Sequence, residues 1–380
     1  MIYLDNAATT RTAPEVVEAM LPYFTEYFGN AGTVYKLGTE SKRAVIRAKE
    51  TIAQTLHAEA NEIYFTAGGT ESDNWALKAA YEAYRDKGNH IITSKIEHHA
   101  ILHTCEYLEK QGAEITYLDV DEDGLIDVQQ LREAIRHDTI LISVMYANNE
   151  IGTIQPIKEI GEIANENGIL FHTDAVQAYG QLPIDVADCH IDMLSASGHK
   201  FNGPKGIGFL YIGKRAKIRS FIHGGQQERG RRAGTENVAG IVGMEAAVKR
   251  AYRIMEEKTK KETELRDYLI GRILHEIPDT RLNGHSVKRL PGNVSVSIAS
   301  VEGESVLIML DMQEICASSG SACTTGALDP SHVLLAIGLS PEMSRGSLRL
   351  TLSEDNTKEE MDIVVEELKQ IVIRLREHRI

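Results

Sequence analysis

Residues 195–212 read SASGHKFNGPKGIGFLYI, and the placement of one lysine in them decides how the rest of the chain is read. Small residues lead into Lys200, glycines and Pro204 follow it, and the apolar run GIGFLYI closes the stretch. Short apolar segments bounded by glycine read as buried strands, so the stretch is a strand, a loop and a strand. A lysine on an ordinary loop is a solvated surface cation. A lysine at the end of a buried strand is different, because loss of water lowers its pKa and leaves the amine nucleophilic. That is what a Schiff base with an aldehyde cofactor requires.

Upstream of this stretch, helices and strands alternate. NEIYFTAGG, NHIITS, AEITYLDV, TILISVMYA, ILFHTDA and IDMLSASG read as strands. PEVVEAMLPYFTEYF, ESKRAVIRAKETIAQTL, TESDNWALKAAYEAYRDKG, HHAILHTCEYLEKQG, VQQLREAIRH and IKEIGEIANENG read as helices, with Thr70 expected to cap the third and Gly88 to stop it. This rhythm implies a largely parallel sheet covered by helices on both faces, with ligands at the carboxyl ends of its strands. After a long helical stretch beginning at GTENVAG the rhythm changes. NVSVSIAS, SSGSACTTG, SLRLTLS and a charged amphipathic helix follow. The expectation is an α/β protein with a large domain over 12–258 and a smaller α+β domain formed by 1–11 and 259–380.

Composition narrows the function. The chain has 380 residues, 42% hydrophobic and 25% charged, which suits a soluble globular protein. Its formal net charge of −14 argues against direct nucleic-acid binding, which needs clustered Lys and Arg. The four cysteines form no CxxC pair and no dense framework, so neither a zinc ribbon nor a disulfide scaffold is expected. The start MIYLDNAATTRT lacks a signal-peptide pattern, and no apolar run is long enough for a membrane span. A cytoplasmic location is expected.

The unusual residues fall at strand ends. Asp174 closes ILFHTDA, where a carboxylate can keep a pyridinium nitrogen protonated. Gly68, Gly69 and Thr70 open a helix, whose free N–H groups and positive dipole end suit a phosphate. His98 sits at another strand-to-helix junction, able to stack on a flat ring or to act in proton transfer. His99 and His103 are spaced i, i+4, but no third ligand is evident, and no metal is expected. Cys323 lies in SSGSACTTG among small residues that pack little and permit many backbone states. Such surroundings do not suit an inert core thiol, the reading given to Cys105, Cys189 and Cys316.

Together these segments resemble the NifS/IscS-type cysteine desulfurases, pyridoxal-phosphate enzymes of class V with the aspartate aminotransferase-like fold (fold type I). The resemblance covers YLDNAATT (3–10), GGTESDN (68–74), EHHAIL (97–102), NNEIGTIQPI (148–157), HTDAVQ (172–177), SGHKFNGPKGIGFLY (197–211), RRAGTEN (231–237), SSGSACTTG (318–326) and SLRLTLS (347–353). It implies Lys200 as the Schiff-base lysine, Asp174 at the pyridinium nitrogen, Gln177 at the ring hydroxyl and His98 stacked on the ring. Gly69, Thr70, Ser197 and His199 would cradle the phosphate of pyridoxal 5'-phosphate. Thr235 would reach that phosphate from the second subunit of a homodimer. Asn149 would lie near ring and substrate, and Arg349 would clamp the substrate carboxylate. Cys323 would take sulfur from L-cysteine as a persulfide, release L-alanine, and pass the sulfur to an acceptor protein, an iron–sulfur scaffold or a tRNA thiolase. An aminotransferase of the same fold needs no such thiol.

One segment departs from that pattern. At 30–38 the chain reads NAGTVYKLG, where relatives carry Asn-Pro-Ser-Ser-x-His, so Ala31, Gly32 and Thr33 replace Pro-Ser-Ser and Tyr35 replaces the histidine. The change bears on the entrance to the site and on substrate range rather than on cofactor chemistry.

Overall fold

A computed structural model describes residues 1–319 and 330–377, so Cys323 lies outside the described residues. The short strand β1 (Ile2–Tyr3) opens the chain. Then come β2 (Ile63–Thr66), β3 (His90–Ser94), β4 (Glu114–Leu118), β5 (Thr139–Ser143), β6 (Leu170–Asp174), β7 (Met193–Ser197) and β8 (Gly208–Ile212). These form one seven-stranded sheet in the order β2-β8-β7-β6-β5-β3-β4. Only β8 runs against its neighbours; the other pairings are parallel.

Alternation along the strands explains the two covered faces. Ile92, Ile142, Phe171, Leu194 and Phe209 join one core with the helices Lys36–Leu56 and Ile157–Glu166. Their immediate neighbours Ile91, Leu141, Leu170, Met193 and Leu210 join another with Trp75, Leu77, Ile101 and Leu108. Successive side chains of a strand point to opposite faces, so a strand buried on both faces reads as an unbroken apolar run, as β5 (TILIS) does.

The remaining strands are β9 (Thr280–Leu282), β10 (Asn293–Ile298), β11 (Ile315–Cys316) and β12 (Ser347–Thr351). β10 lies between β12 and β9, antiparallel to both, and β1 pairs with β11. A separate core gathers Leu4, Leu269, Ile273, Val294, Val296, Leu348, Leu350, Val365 and Leu368. The 39-residue helix Val238–Glu276 runs from the first core, through Ala247 and Val248, to this one.

Local readings differ from the structure at two helices. The stretch 14–28 is broken into Pro14–Met20 and Pro22–Thr25, because proline cannot continue a helix it does not begin. Thr70 is not a cap: the helix is Gly69–Tyr84, Gly68 precedes it, and no side chain caps it. That helix also ends before Gly88, which is needed for another reason. A Cβ there would lie 2.1 Å from the carbonyl oxygen of Asp138.

Candidate active site

The carboxyl ends of β6 and β7 open into a cavity of about 400 Å³. It brings together Gly69, Thr70, His98, Asn149, Asp174, Gln177, Ser197, His199, Lys200 and Arg349. An outer depression shares Gly69, Thr70, Ser197 and His199 with it. Thr235 is exposed and lines a different crevice with Arg232 and Gly206. Residues 30–38 line neither opening; there Asn30 turns the chain, accepting Gly32 N–H at 2.8 Å on its side chain.

Lys200 ends the short 3₁₀ turn that follows β7, so strand geometry sets its base. Its Nζ donates to the carbonyl oxygens of Ala7 (2.6 Å) and Ala8 (2.9 Å). Gln177 donates to Ala7 as well, at 3.0 Å, and Thr9 Oγ1 lies 3.1 Å from His199 Nδ1. The N-terminal segment therefore forms one wall of the cavity.

Burial governs the titration of this site. Asp174 is buried, which raises its carboxyl, while the Val176 N–H (2.9 Å) and the Lys200 charge pull it down. Asp73, which also lines the cavity, is pushed up by burial and then by Asp174, because two carboxyls this close resist double ionisation. Below them His172 is wholly buried between Ser143 (2.9 Å to Nδ1) and Ser195 (3.0 Å to Nε2), and burial lowers it to about 3. His98 caps the helix His99–Glu109 by accepting Ala100 N–H on Nδ1 at 3.1 Å. Burial, then Lys200, lowers it to about 4, so the ring is neutral and carries its proton on Nε2.

Arg349 is buried, 3% exposed, on β12. Its Nη1 donates to the Asn149 carbonyl at 3.0 Å, and its Nη2 pairs with Asp5 Oδ1 at 3.0 Å. Its Nε is buried and has no partner among the described residues. Ser318, which lines this cavity, exchanges both backbone hydrogen bonds with Arg349 (3.1 and 2.7 Å). Ser331 Oγ donates to Glu150 at 2.5 Å.

The residues present fit the phosphorylated pyridine aldehyde expected from the sequence. A 16-residue helix without a capping side chain presents its first turn to the cavity at Gly69 and Thr70, an anion site by its free N–H groups and dipole. A Cβ on Gly69 would come within 2.5 Å of Val176 Cγ2, so the first turn lies hard against the strand-end loop. A buried carboxylate, a neutral imidazole and a primary amine complete the set. Among the described residues no group of three His, Cys, Asp or Glu could hold a metal, and no helix is long and apolar enough to cross a membrane.

Sequence reasoning missed Asp5, Asp73 and the Ala7 and Ala8 carbonyls. Asp5 and Asp73 stand in YLDNAATT and GGTESDN, yet only their partners distant in sequence reveal a role. Cys105 and Cys189 are buried with raised thiols, consistent with packing residues.

A strand-end lysine, a buried aspartate and an uncapped helix on a doubly covered sheet define the class of protein. Comparison with known proteins gives the same class: the aminotransferase class-V family matches residues 2–364, and the chain belongs to that family. Cysteine desulfurase IscS of Methanosarcina thermophila is 58% identical over 375 residues, 99% of this chain and 93% of that protein. Cysteine desulfurase IscS of Clostridium botulinum is 55% identical over 378 residues, 99% and 95% of the two chains. Among solved structures, a NifS-like protein superposes with a TM-score of 0.93 at 36% identity, covering 98% of this chain and 99% of that one. SspA in complex with cysteine gives 0.82 at 39% identity, covering 93% and 99%.

Proposed function

We propose that the protein is a pyridoxal phosphate-dependent cysteine desulfurase, converting L-cysteine to L-alanine and leaving the sulfur as a persulfide on Cys323. One observation carries the reading: a single cavity holds Lys200, Asp174, an uncapped helix start and a buried arginine with an unused donor. The near full-length identity to cysteine desulfurases supports the same substrate.

In this reading Gly69, Thr70, Ser197 and His199 hold the cofactor phosphate, Asp174 and Gln177 its ring, His98 its face and Lys200 its aldehyde carbon. Bound there, the cofactor supplies an electron sink next to the substrate α-carbon. Arg349 and Asn149 fix the amino acid. Lys200 moves the α-proton, and neutral His98 offers a proton on Nε2. Cys323, as thiolate, takes the substrate sulfur: an S–S bond forms, the carbon–sulfur bond breaks, and the carbon skeleton keeps the electron pair and gains a proton as alanine.

A homodimer belongs to the reading. Thr235 lies outside its own cavity, which suits use of the partner subunit's Thr235 at the phosphate. Val17, Leu21, Phe24, Phe28, Val34 and Tyr35 expose a run of apolar surface in one stretch of chain, as an interface would. The smaller domain then carries Cys323 and Arg349 against the cofactor domain. The persulfide passes to an acceptor protein, for iron–sulfur assembly or tRNA thiolation, in the cytoplasm.

The test is alanine released from L-cysteine by the cofactor-loaded protein, beside Cys323→Ala. Steady release by the parent and less than one equivalent by the variant is expected. Equal release by both would remove Cys323 from the reaction.

A further inference from the structure

Among the described residues the Arg349 guanidinium is held by two groups, and only one of them is a side chain. The guanidinium has two edges able to take a carboxylate. One joins its two terminal nitrogens, and the other joins Nε to the neighbouring Nη2. The Asn149 carbonyl takes Nη1 and Asp5 takes Nη2, each at 3.0 Å, while neither takes Nε. Nε is buried and unpartnered among the described residues, and Arg349 lines the cavity. Burying a cationic N–H without an acceptor is costly, so this donor marks where an anionic acceptor belongs.

We infer that Asp5 is a positioning residue for substrate: it fixes the plane of Arg349 so that the Nε edge faces the substrate carboxylate. The inference rests on the desulfurase reading of this site and adds a residue to it. Asp5 reaches the cavity because β1 pairs with β11 and a bridge from Asp5 to Thr351 continues the chain beside β12. Those are backbone contacts, and the Asp5 carbonyl, not its carboxylate, accepts from Ala8 N–H, Thr9 N–H and the Tyr3 hydroxyl. The only hydrogen-bond partner described for the Asp5 carboxylate is Arg349. Substitution of the side chain therefore removes the orientation of Arg349 and leaves the path of the segment in place.

Charge alone would act in the opposite direction. A carboxylate beside Arg349 neutralises it, and its removal would then strengthen binding of an anionic substrate. The two accounts differ in sign. If orientation dominates, Asp5→Ala, which leaves no acceptor for Nη2, weakens carboxylate binding by roughly tenfold, the size of one charge-assisted hydrogen bond. If neutralisation dominates, binding tightens.

The experiment uses the cofactor-loaded dimer and follows cofactor absorbance during titration with L-alanine, with cysteamine, which lacks the carboxylate, as control. Steady-state alanine release from L-cysteine gives KM and kcat in parallel. For Asp5→Ala we expect the L-alanine dissociation constant and the L-cysteine KM to rise about tenfold, with kcat within about threefold and cysteamine affinity unchanged. In an Arg349→Lys background the same substitution should add little, because the pair acts as a unit. Tighter or unchanged L-alanine binding, an equal loss for cysteamine, or full additivity with Arg349→Lys would overturn the assignment. An unchanged melting temperature for Asp5→Ala would exclude a folding defect, and Asp5→Glu, which keeps the charge and the acceptor, should recover part of the affinity. A parent that bound L-alanine normally but released none from L-cysteine would defeat the desulfurase reading, while the titration would still decide Asp5.

Discussion

The floor and the wall of the cavity are built in opposite ways. The floor is local. Asp174 and Ser197 end adjacent strands, Lys200 follows three residues after Ser197, and His98 caps the helix that follows β3. The wall is assembled from distant chain: Asp5 meets Arg349 344 residues away, and Ala7 meets Lys200 193 residues away. On the floor, burial keeps the His98 and His172 rings uncharged. The wall instead keeps a paired ion whose guanidinium retains one unsatisfied donor. A floor of this kind suits a group that stays, and a wall of that kind suits a group that comes and goes.

That contrast predicts which substitutions abolish turnover and which only weaken substrate binding. Lys200→Ala should cause the largest effect. It removes the group assigned to the α-proton, and alanine release should fall by at least about 10³-fold. If the loss were instead a KM effect restored by high L-cysteine, Lys200 would belong with the wall, and the division between the two regions would fail.

The next prediction tests how closely the floor is fitted. Gly69 is replaced by Ala, placing a Cβ 2.5 Å from Val176 Cγ2. Val176 must move, and it lies between Asp174 and Gln177. Overpacking by one methyl costs about 1–2 kcal/mol. Cofactor affinity should therefore fall roughly tenfold, measured by dialysis and reloading. KM for L-cysteine in the loaded protein should change little, since Arg349 is untouched.

The same division explains what was legible in the sequence. Each floor residue stands beside a short apolar run and a turn, so a local pattern points to it: ILFHTDA to Asp174, SASGHK to Lys200, KIEHHA to His98. Arg349 was reachable only through SLRLTLS and the family resemblance, because an arginine in an alternating strand otherwise reads as an edge cation. Asp5 sits in a quoted motif, but nothing local says that its carboxylate reaches β12. Asp73 is followed by Asn74 and preceded by Glu71 in the first turns of a helix, a pattern that reads as a solvated face. The helix packs its Asp73 side against the cavity instead. The same blindness misplaced the cap at Thr70. Ser and Thr are good caps, but here no side chain caps the first turn after Gly68, and Gly69 and Thr70 line the cavity.

The smallest expected effect concerns the support beneath the floor. His172 is buried as a neutral ring with a serine hydroxyl at each nitrogen, and its pKa falls from 6.5 to about 3. Between those values the unfolded chain binds a proton there and the folded chain does not. Stability from this residue is thus complete above pH 6.5 and is lost as pH falls towards 3. Asp73 and Asp174 lie close by with raised carboxyls and work in the other direction, because the folded state holds their protons longer. The parent's overall slope is therefore a difference, and His172→Asn isolates one part of it. Urea unfolding of parent and variant at about pH 6.5 and 5.5 should show the parent losing more, by roughly 1 kcal/mol per pH unit, the linkage of a single proton. The variant will start less stable, since its shorter amide cannot reach both serines, so the comparison lies in the slopes and not the values. Equal slopes would mean that His172 is protonated in the folded protein, paired with Asp73 at 3.7 Å, and the floor would then contain an ion pair as the wall does.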